Sequence, residues 1–144
     1  MLTIDGITTA YGAVQVLHGV SLEAKAGEIT CVMGRNGVGK TTLLRTVMGQ
    51  IAARAGGVRL GGSDLTRLPA HRRARAGIAL VPQGREIFPK LTVRENLEIG
   101  FSARGQSDPA AVEAGMAMFP ILREFARRNG GDLSGGQQQQ LAIA

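Results

Sequence analysis

Residues 34–41 read Gly-Arg-Asn-Gly-Val-Gly-Lys-Thr, which fits the spacing GxxxxGK[ST]. Glycines at 34, 37 and 39 remove the side chains that would keep the backbone away from a bulky anion, so that successive N–H groups can converge on it. Lys40 adds a cation within reach of β- and γ-phosphate oxygens, and the Thr41 hydroxyl is a ligand for Mg²⁺. The chemistry this combination suits is the binding of a nucleoside triphosphate.

Such a loop works only if a strand delivers it and a helix carries it away. Residues 29–33 form a uniformly apolar run, which predicts a strand buried on both faces with Cys31 as a small buried hydrophobe. Residues 41–48 have helical character and Gly49 supplies a stop, so the helix points its positive end at the loop. Upstream, residues 2–8 and 19–24 read as β-runs. Downstream, residues 58–60 followed by Gly61-Gly62 read as a strand and tight turn, and residues 69–76 as a short helix. Residues 78–81 are a second candidate for a buried strand, ending at Pro82-Gln83. Beyond Pro89 the pattern becomes helical. Thr92 and Glu95 form a capping box for a helix reaching about Ile99, and Asp108-Pro109 starts another. Pro120 interrupts that helix, which Asn129-Gly130-Gly131 stops near Arg128. The expectation is a mixed α/β region over residues 1–89 and an α-helical region over residues 90–144.

Composition narrows the class. The 144 residues are 44% hydrophobic and 19% charged, a balance typical of a soluble globular chain. No apolar stretch approaches the roughly 18 residues of a membrane span, and the first residues lack the basic-then-apolar pattern of a secretory signal. One cysteine cannot form an internal disulfide, which fits a reducing cytoplasm. The net charge of +6 raises the question of nucleic acid. The one dense basic cluster, His71, Arg72, Arg73 and Arg75, has no interleaved aromatics, and aromatic content is only 3%, too little for stacking platforms. The cluster reads as a solvated basic face, with an anionic lipid or acidic protein surface as the alternative. No nucleic-acid partner is expected.

Residues 133–137, Leu-Ser-Gly-Gly-Gln, add a second anion-suited turn. Ser134 is an N-cap, Gly135 and Gly136 allow close backbone approach, and a helix follows through Ala144. With the phosphate loop upstream and Pro82-Gln83 ending a strand between them, the chain resembles the ATP-binding cassette (ABC) family, whose motifs occur in this order. The resemblance covers essentially the whole chain. It implies a P-loop NTPase fold of the ABC ATPase type, α/β, with a mixed sheet core and an α-helical subdomain. It also implies a head-to-tail dimer of cassettes that shares its ATP between the loop of one subunit and the signature of the other. Carried onto this sequence, Gly34, Arg35, Asn36, Gly37, Val38, Gly39, Lys40, Thr41 and Thr42 would hold ATP, with Thr41 and Gln83 on Mg²⁺. Ser134, Gly135, Gly136 and Gln137 would hold the partner subunit's ATP. Gln83 corresponds to the glutamine that reaches Mg²⁺ and the attacking water and couples the site to a transmembrane partner. Tyr11 falls where the family places an adenine-stacking aromatic, and an amphipathic ring on a strand edge is its plain alternative.

The segments VPQGREIFPKLTV (81–93), NGVGKTTLL (36–44) and GGDLSGGQQQQLAIA (130–144) resemble the ATPase subunits of branched-chain amino-acid and urea importers. The run of four glutamines at 137–140, the GRNGVGKTT form of the loop (34–42) and HRRARAGIA (71–79) ahead of VPQGREIF resemble the urea-transport subunit most. The implied protein lies peripherally on the cytoplasmic face of the inner membrane, bound to permease subunits and indirectly served by a solute-binding protein. The family pattern continues past the signature helix into a strand ending in Asp-Glu and a later histidine. Neither is found here, since His18 and His71 both precede the signature. The expectation is therefore a cassette truncated before that strand, with an exposed sheet edge and little ATPase turnover for residues 1–144 alone. Two other classes stay open: a cassette acting on ribosomes or DNA without a permease, and a nucleotide-binding module without turnover.

Overall fold

The computed structural model describes residues 1–102 and 108–144, with no side-chain account of Ser102. The chain forms two compact units, Met1–Leu80 and Val81–Ala144.

The first unit is built on an antiparallel sheet of β1 (Leu2–Tyr11), β2 (Val14–Ala24), β3 (Ala55–Leu60) and β4 (Ser63–Asp64), ordered β2-β1-β3-β4. β1 and β2 are longer than the sequence suggests because they are joined by a two-residue turn, Tyr11 pairing with Val14. Gly61 and Gly62 both take positive φ, the geometry that matches the twist of a two-residue hairpin, and close β3 onto β4. In β1 the buried positions shift from Ile4 to Ile7 and Thr9 across a register irregularity. A bulge there turns the odd-numbered face inward. Gly56 lies under that bulge at φ +87, where a Cβ would stand 2.4 Å from the Asp5 and Gly6 carbonyl oxygens. No other residue fits.

Helix α1 (Lys40–Val47) lays Thr42, Leu43, Thr46 and Val47 on one side, the i, i+3, i+4 spacing of a buried stripe. Leu43 and Val47 pack with Ile4, Ile7, Leu17 and Val58 to form the core. Thr46 donates its hydroxyl proton to the Thr42 carbonyl at 2.8 Å. The buried Thr9 hydroxyl, 3.2 Å from that of Thr46, must then be the donor between the two. Helix α2 (Ala70–Arg75) follows Pro69. Its cluster differs from the solvated face expected of it: Arg73 is buried, while His71, Arg72 and Arg75 are exposed. The Arg73 guanidinium donates to the carbonyls of Thr46, Val47, Thr66 and Leu68 at 2.7–2.9 Å. Thr46 and Val47 are at the end of α1, where carbonyls lack helical partners and a cation is favoured. Burial pulls Arg73 below the ordinary arginine range, opposed only by the charge of Asp64.

Two sequence expectations fail here. Residues 29–33 form no strand, and Ile29 and Met33 are 95% and 88% exposed. Cys31 is likewise an exposed free thiol. Residues 78–81 form no strand either, although Ile78 packs against the core. Apolar composition makes a strand only where a neighbour supplies the hydrogen-bond ladder. Among the described residues every sheet neighbour belongs to the β1–β4 sheet, so both runs are without one.

The second unit is helical: α3 (Val93–Ser102), α4 (Pro109–Met118), α5 (Pro120–Glu124) and α6 (Gly135–Ile143). Its core gathers Val93, Leu97, Val112, Met116, Leu122, Leu133 and Leu141. The capping box is present, with the Thr92 amide and hydroxyl each donating to Glu95 at 2.7 Å and the Glu95 amide donating to the Thr92 hydroxyl at 3.2 Å. These bonds hold the Glu95 carboxyl below its usual range. Asp108 caps α4 through the Ala111 amide at 3.0 Å. Pro120 does restart the helix, but α5 ends at Glu124 rather than near Arg128. Asn129 instead pairs with Thr92 as an isolated bridge, which draws residues 125–129 out of helical geometry and into the signature turn.

Candidate functional site: a phosphate loop and a capped signature helix

The phosphate loop is exposed from Gly34 to Val38. It enters α1 through Gly39, which adopts φ +104 and offers no side-chain cap. A Cβ at Gly39 would meet Leu17 and Val16 at 3.0 and 3.2 Å, so both the conformation and the fit against β2 require glycine. The first intrahelical bond runs from the Leu43 amide to the Gly39 carbonyl at 2.8 Å. The amides of Lys40, Thr41 and Thr42 have no carbonyl one turn back and point out of the helix N-terminus. Lys40 folds over the loop, its ammonium donating to the Gly34 and Arg35 carbonyls at 2.6 Å each. An ammonium has three donors, so one is left for a ligand oxygen. Thr41 is exposed at the mouth, whereas Thr42 is on the buried side of α1 and offers its amide to the N-terminus. Three uncapped amides, a lysine cation and a threonine hydroxyl fit a polyphosphate.

Gln83 is exposed, one residue after Pro82. Its amide oxygen is a hard oxygen donor of the kind Mg²⁺ takes, as is the Thr41 hydroxyl within the phosphate loop's own unit. Tyr11 is 49% exposed at the end of β1, where its ring is open to solvent at the hairpin tip.

The signature turn is built as a helix start. Ser134 accepts from the Gln137 amide at 3.4 Å, and the Gln137 side chain accepts from the Ser134 amide at 2.9 Å. This reciprocal box leaves the Gly135 and Gly136 amides at an exposed N-terminus. Two side chains not singled out from the sequence also touch this turn. The Arg85 guanidinium crosses Gly135, where a Cβ would meet it at 3.2 Å, and it donates to the Gln138 side chain at 3.0 Å. Sequence offered no signal for this contact, because it depends on Arg85 and Glu86 both adopting positive φ (66° and 53°), which non-glycine residues rarely do.

The chain is 43% identical over 144 residues to the high-affinity branched-chain amino acid transport ATP-binding protein BraG of Pseudomonas aeruginosa, covering 99% of this chain and 62% of that one. It is 39% identical to a probable branched-chain amino acid transport ATP-binding protein, LivF, of Archaeoglobus fulgidus, covering 61% of that protein. The chain thus spans about three-fifths of the length of these relatives. Among solved structures, an ATP-binding cassette in a dimeric post-hydrolysis state bound to ADP and Pi superposes with a TM-score of 0.83 at 28% identity, over 99% of this chain and 67% of that one. A nucleotide-free ATP-binding cassette superposes with a TM-score of 0.81 at 28% identity, over 62% of its own length. These neighbours share the ABC ATPase fold of the P-loop class, with its mixed α/β content. The ABC transporter family model matches residues 17–144, which takes in the phosphate loop, Gln83 and the signature turn, and the chain belongs to the ABC transporter family.

Proposed function

We propose that this chain is the nucleotide-binding part of an importer ATPase subunit, which uses ATP binding and hydrolysis to drive uptake of branched-chain amino acids. The observation that carries the reading is the pairing, in one chain, of an uncapped helix N-terminus behind GxxxxGK[ST] with a second, box-capped N-terminus at Leu-Ser-Gly-Gly-Gln. Residues 34–42 bind the phosphates of ATP, with Lys40 on the β- and γ-phosphates. Thr41 and Gln83 hold Mg²⁺, which supplies charge neutralisation of the phosphates when bound. Ser134, Gly135, Gly136 and Gln137 act on the nucleotide of a second cassette subunit, and Tyr11 stacks on adenine. Permease subunits are the membrane partner, and a solute-binding protein delivers the solute to them. The chain works at the cytoplasmic face of the membrane as a peripheral subunit, in keeping with the fact that no helix among the described residues is long and apolar enough to cross a bilayer.

The sequence resemblance leans toward urea on the strength of residues 34–42, 71–79 and 137–140. BraG and LivF, at 43% and 39% identity, support the branched-chain alternative better. Uptake by cells lacking the gene tests the choice. Labelled leucine uptake should fall by at least about tenfold and return on complementation, with urea uptake unchanged. Loss of urea uptake with normal leucine uptake would reverse the assignment.

A further inference from the structure

The segment that follows Gln83 is tied to the signature turn at several points. Pro82 accepts from the Arg85 amide at 3.0 Å and Gly84 from the Glu86 amide at 2.8 Å, forming two tight turns in succession that hold both residues at positive φ. This conformation aims the Arg85 side chain across the first turn of α6, where its guanidinium donates to the Gln138 side-chain oxygen Oε1 at 3.0 Å. Gln138 passes the link on, donating to the Gly130 carbonyl at 3.3 Å. Gly130 and Gly131 in turn donate to the Leu91 and Pro89 carbonyls at 2.8 and 2.9 Å. The far end of the segment is held by Asn96, which accepts from the Phe88 amide and donates to the Phe88, Leu91 and Thr92 carbonyls. The backbone contacts fix the segment as a whole. Arg85–Gln138 is the one side-chain contact among these that joins the turn next to Gln83 to the helix carrying Gln137.

We infer that Arg85 is a positioning residue that latches the turn after Gln83 to the first turn of α6, so that the signature amides take their working orientation only when the glutamine turn is in place. Gly135 lies against the latch, where a Cβ would crowd the guanidinium at 3.2 Å. The latch deepens the ATPase reading above and rests on it for its purpose, while its existence rests on the contacts alone.

Amide hydrogen exchange reads the latch without nucleotide. Arg85→Ala and Gln138→Ala should each speed exchange at the Gln137 and Gln138 amides by about tenfold, the scale of one charge-assisted hydrogen bond. The double variant should add nothing to Gln138→Ala, which already removes both the Arg85 and the Gly130 contacts. Gln138→Glu keeps an acceptor for the guanidinium but gives up the donor to the Gly130 carbonyl, so it should exchange more slowly than Gln138→Ala, and it is the variant to read if Arg85→Ala unfolds the segment. In the complete cassette assembled with its permease, Arg85→Ala should lower kcat about tenfold with the KM for ATP unchanged. Wild-type exchange in both alanine variants, additive effects, or a Gln138→Glu variant as fast as Gln138→Ala would overturn the latch. Unchanged MgATP affinity in Lys40→Ala would instead overturn the ATPase reading and leave the exchange result standing.

Discussion

Lys40→Ala should weaken ATP binding by about 10- to 100-fold, the range expected when a charge-assisted contact to phosphate is lost. The magnitude follows from where the side chain sits. Its ammonium bridges the Gly34 and Arg35 carbonyls, so it both shapes the loop and places a cation in it. Removing it deletes the cation and the two bonds that draw the loop's entry toward its exit. The fold should be spared, because the loop is exposed and the core of the unit lies on the opposite side of α1. Fluorescent-nucleotide titration together with thermal melting separates the two effects. Equal affinity in wild type and Lys40→Ala would remove the lysine from the site, and a large drop in Tm would mean the affinity loss was structural.

Arg73→Ala should destabilise the first unit by about 2–4 kcal/mol, a large fraction of the stability of a small domain. The guanidinium serves four carbonyls from three segments: the end of α1, Thr66 and Leu68. Thr46 keeps a second partner in the Gly49 amide, but Val47 at the buried helix end would lose the guanidinium donor at 2.8 Å. Arg73→Lys should recover only part of the loss, since an ammonium cannot span carbonyls in the fixed fork of a guanidinium. Urea unfolding followed by circular dichroism measures this, and a change under about 0.5 kcal/mol, the level of an ordinary surface substitution, would show that water replaces the arginine. The same arginine seats the helix whose N-terminus faces the phosphate loop, so loop affinity should fall along with stability.

The contrast between these two residues shows how far the sequence could be read. The helix start at Lys40 was legible because it is set by local spacing: three glycines, a lysine and a helix start within eight residues. The signature turn and the Thr92–Glu95 box were legible for the same reason, each being a helix start whose partners lie three residues apart. Arg73 was misread as solvated, because what buries it is the end of α1, 26 residues away. Arg85 carried no signal at all, since its contact depends on backbone torsions that its residue type does not favour. Residues 29–33 and 78–81 failed differently. Their apolar composition was read correctly, but a strand is a relation between neighbours, and no neighbour pairs with them among the described residues. The exposure of Ile29 and Met33 is the physical consequence.

The most direct test is an amide NMR titration of the chain with MgATP. Shifts should concentrate at Gly37, Val38, Gly39, Lys40, Thr41 and Thr42, the turn and first amides of α1, and should saturate with one nucleotide per loop. Shifts that spare these amides, or that appear only in the helical unit, would contradict the assignment of residues 34–42 as the phosphate site.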